Sequence, residues 1–481
     1  MARKPRYRGP TPGSEADKRT SEIADLVRRE VERRVRPNAT FEEQADAALE
    51  IMKEVLWKKE DGDLRKAVSH ADEVEIDGRR YRRLRQVSGA EYSGLWGAHW
   101  IEEDLYREVG VHNGPTVKPM EVSVGMVAAH MTPPLARVVT GLFAETSSRG
   151  VERILSLVGF EAPSRSFLEK RGKAIAIELG AHTNELDAQC RTVTELPATI
   201  TAVSCGMDRM AVRMSEPVDA AVAPKPQRRE PYERTPPEPR QHNYRMAWAG
   251  STTFYDQRGE ALLVYRYAAD AKTTAAQLAK RIAADVAWSV GQDPTRVVHC
   301  IQDGAAELRI LPETLSKQLP AGTTMRELVD FEHLMGYLDK VVDACEPEGD
   351  PYHMKGWYRG ELLRDDGAID RICRNLRAQG ERLPRRAAPQ REAIAAALRY
   401  IRKRRQRMRY ASLVQENLPI GSGATEGTCW LMQDRVKRPG QSWEQAGLRG
   451  VLGLRSYAIS DRWPQVWAAF ADSHRREVRA S

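Results

Sequence analysis

The chain's six cysteines, at 190, 205, 300, 345, 373 and 429, include no C-x-x-C pair. That absence argues against a zinc ribbon and against a disulfide scaffold. The thiols read as reduced, mostly buried small residues. No apolar stretch approaches the roughly 20 residues of a membrane span. The basic start, Met1 to Pro10, is not followed by the apolar core of a secretory signal. These absences predict a protein of the cytoplasm, without a membrane partner. No internal repeat runs along the sequence either, which speaks against a solenoid.

What is present is charge and enough apolar residue for a core. Bases number 75 against 67 acids, a net charge of +8 over 481 residues, and 41% of residues are hydrophobic. The length suggests about two to four domains. The basic excess is modest and suggests a polyanionic partner, nucleic acid being the commonest. A basic protein without such a partner would have the same composition.

Residues 1–65 predict a helical region. Ile23, Leu26, Val27, Val31 and Val35 recur at roughly helical spacing. A second helix follows Pro37, with Thr40 as N-cap and Glu43 three residues on. Residues 66–118 predict a basic β-hairpin region. Asp77-Gly78 is a type I′ turn signal, and Arg79, Arg80, Arg82, Arg83 and Arg85 follow it. Those arginines fit either a phosphate-facing or a solvated face. Residues 119–192 predict helices, among them a helix-turn-helix with a capping box at Ser166 and Glu169. Its second helix would present Arg165, Lys170 and Lys173 near its start, where a recognition helix meets DNA.

Residues 193–313 change period. A strand candidate around 200–214 is followed by a Pro- and Arg-rich stretch at 216–244, expected to be an exposed loop. Two further strand-like runs flank an Asp256-Gln-Arg-Gly turn. An alanine-rich helix comes next, then an apolar run ending in Asp303-Gly304. That run reads as a strand buried on both faces. Residues 314–410 predict a helical insertion that ends in a basic stretch. Residues 411–481 complete the core. The fold class expected is α/β.

This order places Asp208 inside the first strand and Asp303 at the carboxyl end of the fourth. Glu426 starts a helix after a Gly-Ser-Gly turn. Three carboxylates brought together without a cation repel one another. Oxygen-only ligands suit Mg²⁺ or Mn²⁺, and two such ions support phosphoryl transfer. Any single acid read alone is more often a surface or capping carboxylate. Asp208 is preferred over Asp256 as the first acid, because an Asp opening a turn commonly bonds its own backbone.

The segment from Arg407 to Trp463 resembles the C-terminal catalytic block of DDE transposases of bacterial insertion sequences, ISKra-type family. The matching residues are Pro419 to Gly423, Glu426, Arg435, Lys437, Gly440, Trp443, Leu454, Arg455 and Trp463. Asp303-Gly304-Ala305 and the pair Asp330 and His333 resemble the family's central motifs. The resemblance covers roughly residues 197–470. It implies a ribonuclease H-like, mixed five-stranded sheet with a helical insertion. It also implies metal-dependent cleavage and strand transfer at the ends of an insertion sequence. Asp303 and Glu426 carry over as the second and third acids. The family's first strand bears Asp-Gly, where this chain reads Gly206-Met207-Asp208-Arg209.

The implied partners are double-stranded DNA, as element ends and target, and a second copy of the chain in the synaptic complex. Arg435, Lys437, Arg402, Arg404 and Arg405 are candidate phosphate contacts beside solvated-surface readings. His333 either meets substrate or is bonded to Asp330. Two other readings stay open. One is a structure-specific nuclease of the same fold, and the other a non-catalytic DNA-binding protein descended from a transposase.

Overall fold

The computed structural model describes residues 10, 11, 13–218, 238–345 and 351–480. Most of the expected 216–244 loop therefore lies outside the described residues, but its ends, 216–217 and 240–244, are strand rather than loop, because they extend one antiparallel pairing, Glu216 opposite Gln241. The chain divides into two compact units, residues 1–179 with 464–481, and residues 180–463. Among the described residues, each unit holds one five-stranded sheet. No described helix is long and apolar enough to cross a membrane.

The first unit opens with α1 (Glu15–Arg34) and α2 (Phe41–Ala67). Thr40 and Glu43 form the expected capping box on α2. Strands β1 (Glu73–Ile76) and β2 (Arg79–Gly94) follow, joined by Asp77 at φ 51° and Gly78 at φ 75°. Both positive angles are what a type I′ turn requires. β3 (Gly97–Glu108) and β4 (Thr116–Val117) continue the antiparallel sheet. Its other edge, beside β1, is a strand from the far end of the chain, Val478–Ala480. The expected grouping of 411–481 with the catalytic core thus breaks near Trp463. Four of the five hairpin arginines are matched by acids. Arg80 and Arg82 face Glu73, Arg79 faces Glu108, and Arg83 faces Asp72. These four are solvated and charge-balanced rather than a bare cationic row; Arg85 is exposed.

Helices α3 (Pro119–Val124), α4 (Pro133–Glu145), α5 (Ser148–Leu157) and α6 (Arg165–Ala181) continue this unit, and a helix near the far end of the chain, Trp463–His474, belongs to it as well. The expected capping box on α6 is not formed. Ser164 Oγ accepts the Phe167 amide instead, and Glu169 pairs with Lys173 at 2.7 Å. Ser164 wins because it directly precedes the first helical residue, where a cap must stand. Arg165, Lys170 and Lys173 are exposed on α6.

In the second unit, α7 (Thr183–Val193) leads to β5 (Ile200–Pro217), β6 (Arg240–Asp256) and β7 (Ala261–Ala269). Then come α8 (Ala275–Gln292), β8 (Val297–Gln302), α9 (Ile310–Gln318) and β9 (Met325–Val329). The sheet runs β7-β6-β5-β8-β9, the first three antiparallel and the last two parallel to β5. The expected mixed five-stranded sheet is present. Its fifth strand lies in the stretch expected to be all helix. Met325–Val329 is only five residues long and borders helices on both sides, so no long periodic run marks it.

One face of this sheet is apolar and packs on α8. Val203, Cys205, Met207, Val298 and Cys300 meet the i, i+4 stripe Leu278, Ile282, Val286 and Val290. Each such side chain, fully buried, contributes roughly 2 kcal/mol. Beyond β9, α10 (Phe331–Cys345), α11 (Pro351–Arg364), α12 (Ala368–Arg382), α13 (Ala388–Arg402) and α14 (Tyr410–Gln415) build a second core around Leu334, Leu338, Ile372 and Ile401. The chain then returns through α15 (Gly423–Val436) and α16 (Gln445–Ala458).

Candidate active site

The opposite face of the sheet is small and polar where α15 crosses it. Ser251 Oγ lies 2.8 Å from Thr425 Oγ1. A Cβ on Gly206 would come within 2.6 Å of both the Ile301 carbonyl and Thr425 Oγ1. Glycine at 206 is therefore what lets Thr425 of α15 settle against β5 and lets the β8 backbone lie close alongside. That docking sets Glu426, the next residue after Thr425, over the sheet.

The parallel pairing supplies the other two acids. Cys205 pairs with Cys300 in register. Parallel strands advance in step, so three residues on along each chain come Asp208 and Asp303. Ser204 pairs with His299, and the period of two puts Asp208 and Asp303 on that same face. Asp208 is half-buried within β5, while Asp303 is half-buried just past the end of β8. Burial pushes the Asp208 carboxyl up, and the charges of Asp303 and Glu426 push it further. Three elements distant in sequence thus bring three carboxylates within electrostatic reach. The Cys429 thiol is pushed up to about 12, chiefly by burial and then by Asp208 and Glu426.

Each acid has one oxygen occupied locally. Asp208 Oδ1 accepts the Arg209 amide at 2.6 Å, and Asp303 Oδ1 accepts the Ala305 amide at 2.7 Å. Glu426 Oε1 accepts Ser422 Oγ at 3.1 Å. Among the described residues, no three His, Cys, Asp or Glu side chains already stand as a closed ligand group. In kind, however, the donor set fits a hard divalent cation. It is all oxygen, and its mutual repulsion is what a cation relieves.

Asp330 ties this site together from behind. It is 1% exposed, with its amide on the Gln302 carbonyl and Oδ1 capping α10 at the His333 amide, 2.6 Å away. Its Oδ2 accepts the Ser422 amide, so Asp330 pins the turn that precedes Glu426. Of the two expectations for His333, bonding to Asp330 is realised through the backbone amide; the ring itself is exposed beside Tyr337 and Tyr400.

The basic candidates divide. Lys437 is exposed and donates to Gln433 Oε1 at 2.8 Å on the Glu426 helix. Arg435, expected at the surface, is instead 1% exposed, with its guanidinium 5.4 Å from the centre of the Trp443 ring. It faces inward because its position on α15 falls on the buried stripe with Thr428, Met432 and Val436. Arg402 and Arg405 are exposed, and they line an open cleft of about 700 Å³ with Arg309, Lys403, Arg404 and Arg407. Arg404 turns inward to the Asp303-Gly304 turn. One residue went unnoticed in the sequence. Trp430, one helical turn past Glu426, is 67% exposed. Its i+4 spacing from an acid was the available signal.

Four residues before Asp303, His299 is fully buried, and neither ring nitrogen has a hydrogen-bond partner among the described residues. Burial, aided by Arg326, pushes its imidazole down to about 4. The folded value lies below the unfolded one near 6.5. Stability from the neutral ring is therefore complete above about pH 6.5 and is lost as pH falls through 4. The expected loss is about 3 kcal/mol at about 1.4 kcal/mol per unit. Urea midpoints at pH 7 and pH 4 should differ less in His299→Leu than in the parent. Equal pH dependence in both would refute this.

No family model matches the chain, and no curated protein matches it. Among solved structures it is similar to a chain described as "Drosophila P element transposase strand transfer complex". The identity is 10%, the TM-score 0.27, and the match covers 71% of this chain and 81% of that one. A likeness at that score lends no weight to fold or function.

Proposed function

We propose that the chain is a DNA transposase that binds the ends of an insertion sequence and catalyses metal-dependent strand cleavage and transfer. The observation that carries this is the parallel register of Cys205 with Cys300, which brings Asp208 level with Asp303, together with the seating of Thr425 on Gly206 and Ser251, which sets Glu426 over the same face. The sheet order, two parallel strands beside three antiparallel ones, supports a ribonuclease H-like core with residues 331–415 as the helical insertion. The motif resemblance from Pro419 to Trp463 supports the transposase reading over a nuclease of the same fold.

In this reading Asp208, Asp303 and Glu426 hold Mg²⁺ or Mn²⁺, two ions in the full site. The metal supplies activation of the attacking oxygen and stabilisation of the leaving one. The chain's own residues do the rest. Asp330 fixes the turn that aims Glu426. Lys437 offers an ammonium to a phosphate on the same helix face. Arg402, Lys403 and Arg405 receive the DNA backbone along the basic cleft. Synapsis of two ends calls for at least two copies of the chain.

The test uses the full chain and DNA carrying the flanks of its own reading frame. Cleavage is expected in Mg²⁺ or Mn²⁺ and little in Ca²⁺, which tolerates looser coordination. Full activity in chelator would sink the metal assignment, and binding without cleavage in any metal would favour the non-catalytic descendant. A triple variant of Arg402, Lys403 and Arg405 to Ala should flatten the log–log salt dependence of DNA binding by about 0.9 for each phosphate no longer neutralised. An unchanged slope would remove this cleft from the DNA path.

A further inference from the structure

We infer that the helical insertion sets the position of Asp303 through Tyr400 and Arg404, which act as positioning residues. This rests on the proposed role of Asp303 as a metal-holding acid. The basic run at the end of α13 first suggests a uniform cationic surface. One member of it, Arg404, borders the same cleft but spends its donors on a backbone carbonyl.

Asp303 leaves β8 in a turn whose next residue, Gly304, has φ +83°. Both carbonyls of that turn are gripped by α13 and the residues just past it. Tyr400 Oη donates to the Asp303 carbonyl at 2.6 Å. Arg404 Nε and Nη2 both donate to the Gly304 carbonyl, at 2.9 and 2.7 Å. Arg404 Nη1 returns to the Tyr400 carbonyl at 3.2 Å, and its guanidinium stacks 4.2 Å from the Tyr400 ring centre. Tyr400 is itself 6% exposed and stacked on Tyr337 of α10, centroids 4.2 Å apart and planes 19° apart. A forked arginine seated on a ring has few other places to go. The closeness is such that a Cβ on Gly304 would lie 2.4 Å from Arg404 Nε.

The consequence is directional. With both carbonyls held on the insertion side and Oδ1 held by the Ala305 amide, the Asp303 carboxylate has little freedom to swing. An acid that must meet two others across a sheet gains from that restraint, because a site loosened by a fraction of an ångström loses much of its function. Arg404 thereby differs in role from Arg402 and Arg405, although the three are near neighbours in sequence.

Tyr400→Phe removes one hydroxyl and keeps the stack, so folding is preserved. Arg404→Lys keeps the charge and loses the fork. In both, amide exchange across residues 303–306 should rise about tenfold, the size of one hydrogen bond's net contribution. Mn²⁺ affinity, read by electron paramagnetic resonance without DNA, should fall about tenfold, and cleavage by about 10- to 100-fold, the range for partners of metal ligands. DNA affinity and its salt slope should not change. Parent-like exchange and Mn²⁺ affinity in both variants would overturn the inference, as would Arg404→Lys weakening DNA binding alone. If the parent neither binds Mn²⁺ nor cuts DNA while exchange still rises, the transposase reading falls and the restraint on the turn stands.

Discussion

Asp208→Asn is expected to reduce strand cleavage by more than about 100-fold, because losing even a partner of a metal ligand costs about 10- to 100-fold. Asparagine keeps the size of the side chain and its acceptor to the Arg209 amide, so β5 should be undisturbed. What it removes is the charge that a hard cation needs. DNA binding should persist, since the basic cleft does not include residue 208. The informative comparison is Asp256→Asn. Asp256 Oδ1 accepts the amides of Arg258 and Glu260, both at 2.9 Å, across the β6–β7 turn. That is a local structural role, so its loss should cost a little stability and no chemistry. Asp208→Asn cutting at the parent rate, with Asp256→Asn inactive, would transfer the first acid to the hairpin turn and dissolve the proposed site.

Asp208 also illustrates what a sequence can disclose. Its strand, its place within that strand and its alternation with Met210 and Val212 are local properties, and local properties leave a period. The capping box of Thr40 and Glu43 and the Asp77-Gly78 turn are of the same kind, each set by residues no more than three apart. That Asp208 comes level with Asp303 is different. It depends on the pairing of Cys205 with Cys300, 95 positions away, and nothing near either residue announces the partner.

The features that escaped the sequence share that dependence. β9 is an edge strand because β8 lies beside it, not because Met325–Val329 alternates in any distinctive way. Val478–Ala480 is a strand only through β1, at the other end of the chain. Arg435 looked like a surface cation because arginine usually is one, yet the rotation of α15 over the sheet puts it inside. Arg404 looked equivalent to Arg402 and Arg405 until the Gly304 carbonyl gave it a direction. In each case the residue type was visible and the facing was not. Facing is decided by tertiary packing, which a short window of sequence does not contain.

Away from the acids, the largest effect is expected at Asp285 on α8, where tertiary packing again decides the outcome. This carboxylate is completely buried. It accepts from Arg191 at 2.5 Å, Tyr267 at 2.6 Å and Arg462 at 3.1 Å. Arg462 also reaches Asp187 at 3.6 Å, and Asp187 accepts from Arg281 and Tyr457. The network therefore joins α7, α8, β7 and α16 with the Arg462 turn inside one unit. Replacing both partners of a buried pair by apolar groups can be neutral, but removing one leaves the other charge buried and unmatched. Asp285→Ala approaches the second case: Arg191 and Tyr267 lose their acceptor, and Arg462, at 7% exposure, is left with Asp187 alone at 3.6 Å. The expected cost is about 3 to 5 kcal/mol, a fall in Tm of roughly 10 °C for a unit of this size. Glu392→Ala is the control. It breaks an ion pair with Arg399 whose side chains are 70% and 58% exposed, and exposed pairs contribute little. Urea denaturation of the two variants beside the parent separates the cases. If Asp285→Ala unfolds at the same midpoint as Glu392→Ala, the buried network does not hold these helices together.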